Sequence, residues 1–128
     1  METHPMAKKK ILIVDDEMEL VELMKIRLEA SGYEVVKAYD GQEGLDTAKL
    51  EKPDLILLDI MMPKMDGYKV CALLKKDTRF QKIPIILFSA KAQKEDADLA
   101  REVGADLYIT KPFEASVLLA KIQSLIKE

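Results

Sequence analysis

Five short apolar runs punctuate the chain, and each is followed by a stretch whose apolar residues recur at helical spacing. Ile11-Leu12-Ile13-Val14 is the first run, and Leu20, Val21, Met24 and Leu28 follow it at spacings of one, three and four. Gly32 predicts the end of that helix, because glycine accepts the left-handed conformation that closes a last turn. Tyr33 to Tyr39 reads as a second strand. Asp40, with Glu43 three residues later, forms a capping-box pattern that opens a helix to about Leu50. Leu55 to Asp59 predicts the third strand. After a turn at Met62-Pro63, Asp66 is placed to cap a helix running to about Lys76. Ile85 to Ser89 is the fourth strand, and a helix through Val103 stops at Gly104. Leu107 to Thr110 is the last strand, and Val117, Leu118, Ile122 and Leu125 mark a final amphipathic helix.

Strict alternation of strand and helix requires crossover connections, so the fold class predicted is α/β: a doubly wound five-stranded parallel sheet with five helices on both faces. The first, third and fourth strands are continuously apolar and belong in the centre. The second alternates, with Glu34 and Lys37 polar, and the fifth is short, which suits both to the edges. The flavodoxin-like strand order 2-1-3-4-5 follows. In that order the chain reverses direction between the first and third strands, opening a crevice beyond their carboxyl ends where a ligand or reaction belongs.

Composition adds bounds. At 128 residues, with 48 % apolar and 34 % charged, the chain makes one domain that needs no disulfide or metal to fold, and it carries no internal repeat. Its net charge of −3 is spread without a cationic stripe, which argues against nucleic-acid binding by this segment. The basic run Lys8-Lys9-Lys10 precedes an apolar strand too short for a signal-peptide core or a membrane span, so no membrane association and a cytoplasmic location are expected. The lone Cys71 excludes an internal disulfide and reads as a small buried helix residue. Residues 1–7 read as a disordered N-terminal segment ahead of a domain spanning 8–128. His4, the single histidine, falls in that segment, which leaves none for a catalytic triad or a histidine-ligated zinc site.

The residues ending each strand carry the chemistry. Asp15 and Asp16 follow the first, Asp59 ends the third, Ser89 the fourth, and Lys111 follows the fifth. Two carboxylates about 4 Å apart repel by roughly 4 kcal/mol at an effective dielectric near 20, so three clustered acids call for a cation or a shared proton. Oxygen-only ligands favour a hard divalent ion, with Mg²⁺ the usual choice where a phosphoryl group completes the shell. Each residue has a plainer role: Asp15 or Asp16 as a helix cap, Asp59 as a turn residue, Ser89 as a satisfied hydroxyl, Lys111 as a solvated strand end. Their convergence on one edge favours phosphate handling over five coincidences.

Four blocks in order carry a family resemblance: Ile-Val-Asp-Asp-Glu at 13–17, Asp-Ile-Met-Met-Pro-Lys-Met-Asp-Gly at 59–67, Ile-Pro-Ile-Ile at 83–86, and Tyr-Ile-Thr-Lys-Pro-Phe at 108–113. From Lys10 to about Leu125 the chain resembles the receiver domains of two-component signalling, including the single-domain chemotaxis-type receivers. The resemblance implies a phosphorylation switch. A histidine kinase or phosphotransfer protein presents phosphohistidine, and Asp59 becomes an aspartyl phosphate. It further implies Mg²⁺ held by Asp16, Asp59 and the Met61 carbonyl, with Asp15 acting through water, and Lys111 paired with the phosphoryl oxygens. Ser89 and Tyr108 are implied as the switch pair, remodelling the surface of the fourth helix, fifth strand and fifth helix. A cis Lys111-Pro112 peptide comes with it, as does an influence of Met61 and Lys91 on how long the phosphoryl bond lasts.

By the same resemblance the protein is no enzyme beyond catalysing its own phosphorylation and dephosphorylation. Its expected partners are the kinase or phosphotransfer protein and a downstream target or output domain. Its expected state is monomer or phosphorylation-linked homodimer. Whether it acts alone or is part of a longer regulator is left open. Rival readings are a docking receiver that works without phosphorylation, a metal-dependent phosphohydrolase, and a flavodoxin-like cofactor module. The hydrolase would need a second acid where Met61 stands, and the cofactor module a loop rich in Ser, Thr and Gly where Asp15, Asp16 and Glu17 stand.

Overall fold

The computed structural model describes residues 8–90 and 94–126, without the side chains of residues 94 and 95. The expected disorder of 1–7, and His4 and Lys91, lie outside the described residues. In chain order the elements are β1 (Lys10–Val14), α1 (Met18–Ala30), β2 (Glu34–Ala38), α2 (Gly41–Glu51), β3 (Leu55–Asp59), α3 (Gly67–Lys76), β4 (Ile85–Ser89), α4 (Lys94–Glu102), β5 (Leu107–Thr110) and α5 (Ala115–Leu125). All four strand pairings are parallel and the order is β2-β1-β3-β4-β5, as the apolar pattern predicted.

Because side chains alternate across a strand, each central strand feeds two cores. Leu12, Val14, Ile56, Leu58, Ile85 and Leu87 pack with Leu45, Ala48, Val70, Cys71, Leu74 and Ala100 of α2, α3 and α4. Ile11, Ile13, Leu55, Leu57, Ile86 and Phe88 face the other way, onto Val21, Met24 and Leu28 of α1 and Leu118 and Ile122 of α5. Burying one such aliphatic side chain contributes about 1.5–3 kcal/mol, so the twelve strand residues are the main apolar anchor of the fold. The edge strand β2 is buried only at its last residue.

The helix ends follow their sequence signals, with instructive differences. Gly32 and Gly104 both take positive φ after α1 and α4. Around each, two backbone bonds close a Schellman motif: Tyr33 N–H to the Leu28 carbonyl and Gly32 N–H to Glu29, then Ala105 N–H to Ala100 and Gly104 N–H to Arg101. Asp40 accepts from Glu43 N–H at 2.7 Å, and the Glu43 carboxylate reaches back to Tyr39 N–H at 2.7 Å, one residue further than the standard box. Asp66 caps α3 through Lys69 N–H at 2.9 Å. At α1 the N-cap is Glu17, and its side chain makes no capping bond.

Gly67 positions the functional end of the sheet. A Cβ there would run into the Asp59 carbonyl oxygen and lie 2.9 Å from Ile60 Cα. Glycine therefore lets α3 begin directly against the end of β3, where Gly67 N–H donates to the Ile60 carbonyl at 2.9 Å.

Candidate functional site

The carboxyl ends of β1, β3, β4 and β5 deliver the predicted residues to one place. Asp15 is fully buried, Asp59 is 4 % exposed and Ser89 5 % exposed. Asp16, the neighbour of Asp15, faces solvent, because adjacent residues leaving a strand point to opposite sides. Asp15, Asp16 and Asp59 nevertheless each offer a carboxylate oxygen within 4.8 Å of the others.

Lys111 reaches into this group from β5. Its ammonium donates to Asp15 Oδ2 at 2.9 Å and to Glu17 Oε1 at 2.7 Å, and it lies 3.4 Å from Asp59 Oδ1. The Phe88 ring lies beneath the ammonium, 5.2 Å away, and is itself wedged edge-on by Phe113 at 5.7 Å. The Lys111–Pro112 peptide is cis, as the resemblance implied. Asp15 is held from two sides, since its other oxygen accepts Glu17 N–H at 2.9 Å.

Burial is the main reason the Asp59 carboxyl is hard to ionise: it is pushed up to about 6, reinforced by the charge of Asp15 and opposed by Lys111. Asp15 is raised for the same first reason, with Lys111 and the Glu17 amide pulling it back. Burial of the Lys111 ammonium works to lower its pKa, but hydrogen bonds to Glu17 and Asp15 overcome this and raise it. Among the described residues, three carboxylates, those of Asp15, Glu17 and Asp59, thus share the Lys111 ammonium, and a fourth, Asp16, lies beside Asp15 and Asp59. An all-oxygen donor set with surplus negative charge fits a hard divalent cation and suits neither zinc nor copper.

The remaining predicted residues fall at the margin. Tyr108, on β5, is half-buried and hydrogen-bonds with Ser89; burial and then the charge of Asp96 raise its phenol pKa. The Met61 side chain is 73 % exposed just beyond β3. Cys71 is buried in α3, with its thiol 3.6 Å from the Val103 carbonyl and pushed up to about 12 by burial, an inert core group.

Two contributors were not singled out by sequence reasoning. Glu17 makes the shortest contact to Lys111, and the only hint in the sequence was its place after the Asp15-Asp16 pair. Tyr68 of α3 reaches α4, its hydroxyl 3.2 Å from Asp96 Oδ1 and 3.3 Å from the Asp96 carbonyl. Burial, then Asp96, push the Tyr68 phenol up to about 12. A side chain of α3 and one of β5 therefore both face the same carboxylate on α4.

Comparison with known proteins gives this end of the sheet a family. The model of the response regulator receiver domain matches residues 11–123. The alkaline phosphatase synthesis transcriptional regulatory protein PhoP of Bacillus subtilis (strain 168) is 47 % identical over 121 residues, which cover 93 % of this chain and 49 % of that protein. The probable transcriptional regulator ycf27 of Cyanophora paradoxa is 48 % identical over 94 % of this chain and 49 % of its own length. The chain spans about half the length of these curated relatives. Among solved structures, the chemotaxis protein CheY4 of Vibrio cholerae superposes with a TM-score of 0.88 at 30 % identity, covering 94 % of this chain and all of that one. Among the described residues no helix is long and apolar enough to cross a membrane. With the strand order, the acidic end of the sheet and these matches in agreement, the chain belongs to the response regulator receiver domain family.

Proposed function

We propose that this domain, residues 8–128, is a phosphorylation switch in which Asp59 accepts a phosphoryl group from the phosphohistidine of a histidine kinase or phosphotransfer protein. The observation that carries this reading is a buried carboxylate at the end of β3 with a fixed ammonium 3.4 Å away and two further acids around it. An Asp59 oxygen attacks phosphorus as the phosphorus–nitrogen bond breaks, and the electron pair leaves with the imidazole. Such transfer goes through a loose transition state, so positioning and charge neutralisation do most of the work.

Asp15, Asp16, Asp59 and the Met61 carbonyl are the proposed holders of Mg²⁺. When bound, the ion offsets the crowded carboxylates and the incoming phosphoryl oxygens. Lys111 supplies the remaining positive charge, and Phe88 beneath it limits where the ammonium can travel. The acyl phosphate carries about −1.5 to −2 of charge in place of the single carboxylate charge, and brings three acceptor oxygens to the end of β3. Ser89 donates to the new oxygens, which takes its hydroxyl from Tyr108. The freed phenol then repacks, shifting the face made by α4, β5 and α5. Downstream target proteins or an output domain read that face, as monomer or as phosphorylation-linked dimer. Met61, exposed beside the site, tunes the lifetime of the phosphoryl bond.

Intact mass after incubation with a small phosphoryl donor tests the reading. One phosphoryl group is expected on the wild type with Mg²⁺, and none on Asp59→Asn or after chelation. No gain on a folded wild type would overturn the switch in favour of a receiver that docks without phosphorylation.

A further inference from the structure

Lys111 has three carboxylates within reach, and its shortest contact is to the one that needs no neutralising. Glu17 lies largely in water, with 62 % of its side chain exposed, yet its carboxylate closes on Lys111 at 2.7 Å across 94 residues of sequence. Holding a long exposed side chain in one geometry costs rotamer entropy that the contact has to offset. Glu17 also stands at the N-cap of α1 and leaves the capping role unused. Asp15 completes the arrangement, since Oδ1 accepts the Glu17 amide at 2.9 Å while Oδ2 accepts the ammonium at 2.9 Å. The β1–α1 turn therefore forms a two-carboxylate clasp that holds Lys111 3.4 Å from Asp59.

We propose that Glu17 is a positioning residue that parks Lys111 in the resting domain, so that an aspartyl phosphate has to win the ammonium away from it. This rests on the reading of Asp59 as phosphoryl acceptor. A contact that the ammonium gives up on turning to the phosphoryl oxygens weakens the phosphorylated state by its full worth. A partly exposed ion pair of this kind sets the scale of competition at about threefold to fivefold. Glu17 thereby fixes how readily the switch fills without touching the reacting atoms.

The test compares wild type with Glu17→Gln, which removes the charge, and Glu17→Asp, which keeps the charge but falls one methylene short of Lys111. Beryllofluoride serves as a phosphoryl mimic, with its dissociation constant read by fluorine NMR at saturating Mg²⁺. Hydrogen exchange at the Lys111 ammonium is read separately in the metal-free resting proteins. Both variants are expected to bind the mimic about threefold to fivefold tighter and to exchange Lys111 protons faster than wild type. Tightening in Glu17→Gln alone would reduce the residue to a general charge effect and overturn the clasp, as would unchanged binding or unchanged exchange in both. Failure of the wild type to bind the mimic or to gain a phosphoryl group would instead overturn the acceptor reading itself, whatever the Lys111 exchange showed.

Discussion

The two ends of the sheet use the same kinds of side chain to opposite effect. At the amino ends of the strands, acids and cations are matched and tied to backbone. Asp54, just before β3, accepts from Lys10 N–H at 2.7 Å and returns its own N–H to the Lys10 carbonyl at 2.7 Å. Asp106, just before β5, repeats the device with Ile85, accepting its N–H at 2.8 Å and donating to its carbonyl at 2.9 Å. Lys10 then pairs with Glu51 at 2.8 Å, and Lys75 with Asp106 at 3.0 Å and with the Gln81 and Ile83 carbonyls. At the carboxyl ends three carboxylates crowd Lys111 with Asp16 close by, and Asp59 is left reluctant to ionise. One end clamps neighbouring strands at their starts, while the other crowds like charges together. Matched and unmatched charge are thus kept at opposite ends of the same strands.

That contrast is breakable, and the largest effect should come from the matched end. Asp106→Ala leaves Ile85 N–H without its acceptor and Lys75 without its counter-charge, and is expected to cost about 3 kcal/mol in urea unfolding, since each lost charged partner is worth about 1.5–3. A loss under about 0.5 kcal/mol would mean that the two ends do not differ in kind.

Adding Mg²⁺ probes the acidic end. At one hundred times its dissociation constant the ion is expected to stabilise the wild type by about 2.7 kcal/mol, with most of that gain lost in Asp16→Asn. Equal stabilisation of the two would place the ion elsewhere.

Asp59→Asn should move stability the opposite way from Asp106→Ala. The folded carboxyl titrates near 6 against an ordinary 3.8, so between those values the native state holds a proton that the unfolded chain has released. Stability in chelator therefore falls as pH rises through that window, and the deficit is complete above about pH 6. With each pKa unit worth about 1.4 kcal/mol, a shift near two units caps the deficit at roughly 3 kcal/mol, and about 2 is expected after relaxation. The Asn variant should be more stable than wild type by that amount at pH 7, and the gap should close near pH 4. A gap that persisted at pH 4 would exclude the ionised carboxylate as its source.

The smallest effect belongs to the link between α3 and α4. Tyr68→Phe removes the hydroxyl contact to Asp96 and is expected to cost about 0.5–1 kcal/mol, with faster amide exchange in α4 as the sharper readout.

The sequence determined the frame of this protein because the relevant signals are local. Short apolar runs, helical spacing, caps at Asp40 and Asp66 and stops at Gly32 and Gly104 are all readable within a few residues of where they act. Polar alternation in β2 and the shortness of β5 were enough to order the strands, and that order sends Asp15, Asp16, Asp59, Ser89 and Lys111 to one edge. The sequence could not assign partners within that edge. Asp15 and Asp16 are chemically identical neighbours, yet one is buried against Lys111 and the other faces water, a division made by the direction in which β1 ends. The grip of Glu17 on Lys111 and the meeting of Tyr68 with Asp96 join residues 94 and 28 positions apart. Such contacts depend on where whole helices come to rest against the sheet. Only the tertiary structure decides them, because distances of a few tenths of an ångström, and not residue type, settle which of several carboxylates holds the one ammonium.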